Sequence, residues 1–155
     1  MITLEYKLQS KNWNELSTEE LYQCMQLRSQ VFVVEQSCSY LDLDGVDKIS
    51  QHIWAEGEGK VLSYLRVINL EEKYKIGRVC TDSASRNKGL ATELMNVAME
   101  WISEHHVHNQ VQLSAQQHLV AFYQQWGFEP VGEIYLDVGI PHQDMILDIS
   151  FSDFN

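Results

Sequence analysis

The chain has 155 residues, 45% of them hydrophobic and 21% charged, with a formal net charge of −11 at pH 7. That is the composition of an ordinary soluble globular protein, long enough for one real core. It argues against non-specific nucleic-acid binding, which relies on cationic patches, and suits a cationic substrate. No apolar run approaches the roughly 18 residues of a membrane span, and the opening Met1-Ile2-Thr3-Leu4-Glu5 lacks the basic and apolar regions of a secretory leader. Cys24, Cys38 and Cys80 have no C-x-x-C spacing and cannot all pair, which points to reduced thiols and no metal site. The expectation is a single domain over residues 1–155, cytoplasmic, with neither a membrane nor a nucleic-acid partner.

In chain order, residues 3–9 alternate weakly and are read as a first strand. Ser17-Thr18-Glu19-Glu20 has the form of a capping box. The helix it opens turns Leu21, Met25, Leu27, Val31 and Phe32 inward and ends near Val34 or Gln36. Residues 36–51 are polar and acidic without an apolar period, a loop or a short irregular helix. Residues 52–58 and 60–70 are two near-continuous apolar runs around Gly57-Glu58-Gly59, the pattern of a hairpin covered on both faces. A strand at 75–81, a polar loop at 82–87 and a long amphipathic helix follow. Leu90, Leu94, Val97, Ala98, Trp101 and Ile102 mark its buried face, and it fades around 103–106. His105, His106 and His108 at its end are read as surface residues. Residues 111–115 alternate as a strand, and 118–125 form a short helix stopped by Gly127. Strands at 128–137 and 143–151 close the chain, joined by Val138-Gly139-Ile140-Pro141-His142. The order β-α-β-β-β-α-β-α-β-β predicts an α/β mixed sheet with helices on both faces.

The chemistry concentrates where the long helix begins. Arg86-Asn87-Lys88-Gly89-Leu90-Ala91 is an R-x-x-G-x-A run between a strand and a helix. Small residues at 89 and 91 let a ligand approach the backbone. The first helical N–H groups have no intrahelical partner, so an anion can sit there. The P-loop and dinucleotide spacings are both absent. The run resembles the pyrophosphate loop of the GNAT N-acetyltransferase superfamily, and Tyr123-Gln124-Gln125-Trp126-Gly127-Phe128 resembles that superfamily's Y-x-x-x-G-F signature. A third run, Leu27-Arg28 through Val31-Phe32-Val33-Val34-Glu35-Gln36 to Asp42, Asp44, Gly45 and Asp47, is similar to the ElaA-type branch, as are Gly139-Ile140-Pro141-His142 and Ser114-Ala115-Gln116 with His118. The resemblance covers essentially the whole chain.

The resemblance implies a GNAT-like fold and acetyl transfer from acetyl-CoA, a cosubstrate, to a primary amine by direct attack in a ternary complex. It implies cofactor contacts from Val79, Cys80 and Thr81 along the strand and from Arg86, Asn87, Lys88, Gly89, Leu90, Ala91 and Thr92 around the loop. Gln116 stands where the family often has an asparagine, with Gln117 and His118 as neighbours that could replace it. Tyr123 would protonate the departing thiolate, a phenol of pKa ~10 serving a thiol of ~8.5. Glu35, Asp42, Asp44 and Asp47 are read as an acidic mouth for a protonated amine, with a plain solvated loop as the other reading. A calcium loop fails on spacing. The amine's proton goes to Glu35, His52, His142 or a water chain. Arg66 and Arg78 interrupt apolar strands, so each pairs with an acid such as Asp44 or faces the site. Cys80 is read as a small buried hydrophobe. A non-catalytic acyl-CoA-binding module and an acyl-homoserine-lactone-synthase-like enzyme are the alternatives, and family habit leaves a homodimer open.

Overall fold

The structure is a computed structural model, and it describes residues 4–105 and 107–150. Its strands are β1 Lys7–Asn12, β2 Ser50–Gly57, β3 Lys60–Asn69, β4 Tyr74–Thr81, β5 Gln110–Gln116, β6 Glu129–Asp137 and β7 Ile140–Asp148. They form one sheet in the order β1-β2-β3-β4-β5-β7-β6. Neighbours are antiparallel except β4 and β5, which run parallel. The α-helices are α1 Thr18–Arg28, α2 Leu90–His105 and α3 Val120–Gln124. The expected element order is the observed one.

Local chemistry sets the boundaries. The Glu20 N–H donates to Ser17 Oγ at 3.0 Å, and the Ser17 N–H donates to the Glu20 carboxylate at 2.9 Å. Two orphan donors are thereby satisfied at the start of α1. Regular α-helical bonding stops at Arg28, and Ser29–Glu35 coils on as a wider π-helical turn. Gln36 N to Val31 O and Cys38 N to Val33 O, both 3.1 Å, close its end. The coil therefore ends where sequence places it, with a different bond pattern. Crowding by the β-branched Val31, Val33 and Val34 favours the looser turn, a form that recurs at functional sites.

Three strands have ends displaced by two residues or more. β1 lies later than 3–9, because Asn12 ends it by capping a short 3-10 turn, Trp13–Glu15; Thr3 lies outside the described residues. β2 begins at Ser50, after a 3-10 turn at Val46–Ile49. β7 begins at Ile140, because Val138 and Gly139 both take positive φ (49° and 78°) and make a two-residue hairpin turn. Ile140 and Pro141 then pair with β6. Expectations at His106 and Phe151 fall outside the described residues.

Alternation along the strands builds two cores. Ile53, Ala55, Leu65, Val67, Tyr74 and Ile76 point to the α2 side and meet Leu90, Leu94, Met95, Ala98 and Ile102. Trp54, Val61, Tyr64 and Cys80 point the other way and meet Cys24, Leu27 and Val31 from α1 and the turn after it. Both faces of β2 and β3 are covered, as their unbroken apolar runs predict.

Candidate active site

The sheet opens between β4 and β5. Their pairing covers Tyr74–Val111, Lys75–Gln112 and Ile76–Leu113 and goes no further. β4 then bulges: Gly77 faces Arg66 and Cys80 faces Tyr64, so Arg78 and Val79 share a single position of β3. Arg78 holds φ at 54°, a strained value for a side chain with a Cβ. The bulge turns β4 away from β5, and Val79–Thr81 face the gap without a β5 partner.

A cavity of about 580 Å³ occupies one side of this split. Val79, Cys80, Thr81, Arg86, Asn87, Gly89, Leu90, Ala91, Thr92 and Gln116 all line it, which brings ten of the eleven expected cofactor residues together. Lys88 is the exception: its ammonium turns back to the Ala84 carbonyl at 3.4 Å. The helical ladder of α2 begins with Glu93 N to Gly89 O, so the preceding N–H groups have no intrahelical acceptor. Gly89 has φ +80°, and a Cβ there would meet nothing within 4 Å. That open space beside uncommitted amides, at the positive end of the helix dipole, is shaped for a bulky anion. Arg86 reaches across the mouth, donating to Thr81 O at 3.1 Å and pairing with Glu35 at 2.6 Å.

A second cavity, about 460 Å³, lies toward the open face of β5, β7 and β6. Lys75, Arg78, Ser114, Tyr135, Asp137 and His142 are its polar walls. Phe32, Gln36, Val79, Gln116, Leu119 and Tyr123 border both cavities. Tyr123 is 5% exposed and donates to no acceptor among the described residues. Burial, with the Cys80 sulfur adding to it, raises its pKa well above the usual phenol value, so it keeps its proton at neutral pH. The His142 ring lies over Tyr135, centroids 6.0 Å apart, and its Nδ1 is 2.7 Å from Ile140 O. A carbonyl only accepts, so Nδ1 carries the hydrogen and Nε2 is the nitrogen able to take a proton. Burial pushes the Cys80 thiol up, which makes it a poor nucleophile and fits its reading as a packed hydrophobe.

The acidic mouth does not form. Asp42 is buried and accepts from Arg28 Nε at 3.0 Å and Arg78 Nε at 2.8 Å. Asp47 accepts from Arg28 at 2.6 Å and Arg66 at 2.9 Å. Asp44 pairs with Arg66 at 2.6 Å and Arg78 at 3.3 Å. Three arginines thus answer three aspartates, and neither Asp42 nor Asp44 lines either cavity. The Arg66 guanidinium, bonded to Asp44, holds that carboxyl well below the usual range. Burial opposes the charge on Asp47, but Arg28 and Arg66 outweigh it and keep that carboxyl low too.

His52 lines neither cavity. It is fully buried, with Nε2 2.9 Å from Asp47 O and Nδ1 2.6 Å from the Tyr64 hydroxyl. Burial lowers its pKa and keeps it neutral. Glu35 lines the first cavity, where Arg86 occupies its carboxylate. Two residues of weight escaped the sequence reading. Arg28 sits among the inward-facing residues of α1, and Lys75 opens a strand that is otherwise apolar. An arginine on an apolar helix face, with aspartates downstream, was the legible signal for the first.

Residues 11–149 match the family described as an acetyltransferase (GNAT) domain. Protein ElaA of Escherichia coli (strain K12) is 38% identical over 146 residues, spanning 91% of this chain and 95% of ElaA. The solved structure of an acyl-CoA N-acyltransferase from Pseudomonas aeruginosa matches with a TM-score of 0.87 at 39% identity, over 92% of this chain and 99% of that one. A CoA-dependent acyl-homoserine lactone synthase, BjaI, solved with SAM and isopentyl-CoA, matches with a TM-score of 0.76 over 97% of this chain and 86% of that one. At 15% identity that likeness is one of fold alone.

Proposed function

The chain belongs to the GNAT acetyltransferase family and is an acyltransferase, and on that premise we propose that it transfers an acetyl group from acetyl-CoA to a primary amine within a ternary complex. The observation that carries this is the meeting of two cavities at one wall, with the protonated hydroxyl of Tyr123 on it. The amides opening α2 and the Arg86 guanidinium suit a pyrophosphate. The unpaired edge at Val79–Thr81 suits the amides of a pantetheine arm, which can add to it as a further strand would.

Bound acyl-CoA supplies a thioester carbonyl open to attack by an amine. The Val79 N–H, at the bulge and outside the register of both neighbouring strands, polarises that oxygen. His142 Nε2 takes the proton that an amine of pKa ~10 must lose before it attacks. As the C–N bond forms and the C–S bond breaks, Tyr123 gives its proton to the departing sulfur, and the second proton shed by the nitrogen as it becomes an amide restores the phenol. The six shared residues hold both ligands against each other, and that positioning supplies much of the rate.

The test is calorimetric titration of acetyl-CoA into wild type and Arg86→Glu, followed by thiol release with a panel of amines. Micromolar binding lost on charge reversal, and amine-dependent thiol release, are the expected results. Binding with no thiol release from any amine would leave an acyl-CoA-binding module and remove the transfer reaction. No binding to wild type would remove both.

A further inference from the structure

The charges on the α1 side cancel: Arg28, Arg66 and Arg78 against Asp42, Asp44 and Asp47. Lys75 is left over. It is partly buried, lines the acceptor cavity, and makes no hydrogen bond or ion pair with any described residue. An ammonium that lines a half-open cleft with no partner among the described residues is placed to receive an anionic group from a ligand. Arg78 on the same strand commits Nε and Nη2 to Asp42 and Asp44, and its Nη1 is uncommitted among the described residues. This cationic wall runs against a chain whose net charge is −11, so average composition does not account for it.

The other charged groups of the cleft lie at its far end or are engaged. Asp137 sits beside the β6–β7 turn, at the His142 end. Asp144 Oδ1 accepts from Ser114 Oγ at 2.9 Å and from the Tyr135 hydroxyl at 2.6 Å. Strand register sets the separation of the two ends. Lys75 is level with Gln112, and His142 is level with Gln116. Four residue steps of β5 separate those levels, roughly 13 Å at a strand's usual rise. A lysine side chain reaching up the cleft shortens the span.

Resting on the transferase reading above, we propose that the acceptor is an amine that also carries an anionic group, with the amine beside Tyr123 and His142 and the anion on Lys75, flanked by Arg78. This replaces the cationic acceptor that composition suggests, because the carboxylates that would have received a cation are bound to arginines. An anion several bonds from the amine fits the span. An α-carboxylate does not reach from one end to the other.

Three probe amines of similar length decide it, each assayed by thiol release with acetyl-CoA: 6-aminohexanoate, hexylamine and 1,6-diaminohexane. A fourth, 5-aminopentylphosphonate, separates a carboxylate site from a phosphate-like one. The expected result is that kcat/KM for at least one anionic amine exceeds that for hexylamine by about tenfold or more, the worth of one charge-assisted hydrogen bond. The larger anionic ratio names the anion. In Lys75→Met the ratio falls to near one, and in Lys75→Arg it returns. A ratio is insensitive to the fraction of active protein, so a purely structural role for Lys75 would not move it. Equal use of all four amines, preference for the diamine, or an unchanged ratio in Lys75→Met would overturn the inference. Absence of thiol release with every amine would instead remove the transferase reading, and the inference with it.

Discussion

Over β2, β3 and β4 the α1 face of the sheet is filled, and its charged side chains are paired with one another, with Arg66 Nε left unbonded among the described residues. Arg28, Asp42, Asp47, Arg66 and His52 are all buried there, each with a protein partner. Over β5, β7 and β6 the same face carries the open cleft with His142 and Tyr135, and β6 is exposed along its whole length. One sheet therefore holds two kinds of polar residue. On the closed side, charge is neutralised internally and fixes the loop 36–49 and the strained Arg78 in place. On the open side, Lys75 and one nitrogen of His142 are left for something else to meet. The closed half makes the open half possible, because the Asp42 and Asp44 pairs with Arg78 hold the bulge that splits the sheet.

The sharpest way to break this contrast is Arg28→Met, which leaves Asp42 and Asp47 buried with fewer donors. Urea unfolding should show a loss of about 3–5 kcal/mol, with Arg28→Lys falling between variant and wild type. A loss below about 1 kcal/mol would mean that the closed half does not depend on its charges. Tyr123→Phe should act on the open half alone. Its kcat is expected to drop about a hundredfold or more, the scale of general acid catalysis, while acyl-CoA affinity stays nearly unchanged. Equal turnover would take Tyr123 out of the chemistry.

Acid should reach the closed half first through His52. Its folded pKa lies below the ordinary value of ~6.5, so between the two values the unfolded chain binds the extra proton and stability falls as pH falls. Asp44 and Asp47, depressed in the folded state, contribute stability above the unfolded value of ~3.9 and lose it below. Thermal melts should therefore weaken from about pH 6.5 downward and more steeply below about pH 4. His52→Gln should flatten the first slope and leave the second, and a first slope unchanged in that variant would assign it elsewhere. The smallest effect is expected at the mouth of the cofactor cavity. Glu35→Gln frees Arg86 from a half-exposed ion pair and should tighten acyl-CoA binding by up to about fivefold. Weaker binding would show that Glu35 orients Arg86 toward the ligand.

What sequence makes legible here is what is local. The R-x-x-G-x-A loop, the capping box at Ser17 and the Tyr123-to-Phe128 run each place their residues within a turn or two, so spacing alone sets their geometry. The second cavity is assembled from distant segments, and its reading fell short for that reason: His142 lines it, and Asp42, Asp44 and His52 do not. Asp42 and Asp44 look like free carboxylates in a polar loop, and only the fold brings Arg28, Arg66 and Arg78 against them. His52 looks like a strand-end base, and the fold seals it beneath Trp13 and beside Tyr64. Lys75 drew no attention in a strand read for its apolar content, yet its place in the second cavity, with no partner among the described residues, is what sets it apart. Gly77 is the one local hint of a bulge in that strand, and no glycine at position 78 announces the positive φ that Arg78 takes.

The wall shared by the two cavities has a thermodynamic meaning. Phe32, Gln36, Val79, Gln116, Leu119 and Tyr123 line both cavities, so on the proposed reading the two occupants would be linked through them. Any factor by which acyl-CoA changes the affinity for the acceptor must be returned by the acceptor, in equal measure, to acyl-CoA. Since Phe32 and Gln36 belong to the wide turn after α1 and its closing bond, part of any such coupling would run through the least regular stretch of the helical path.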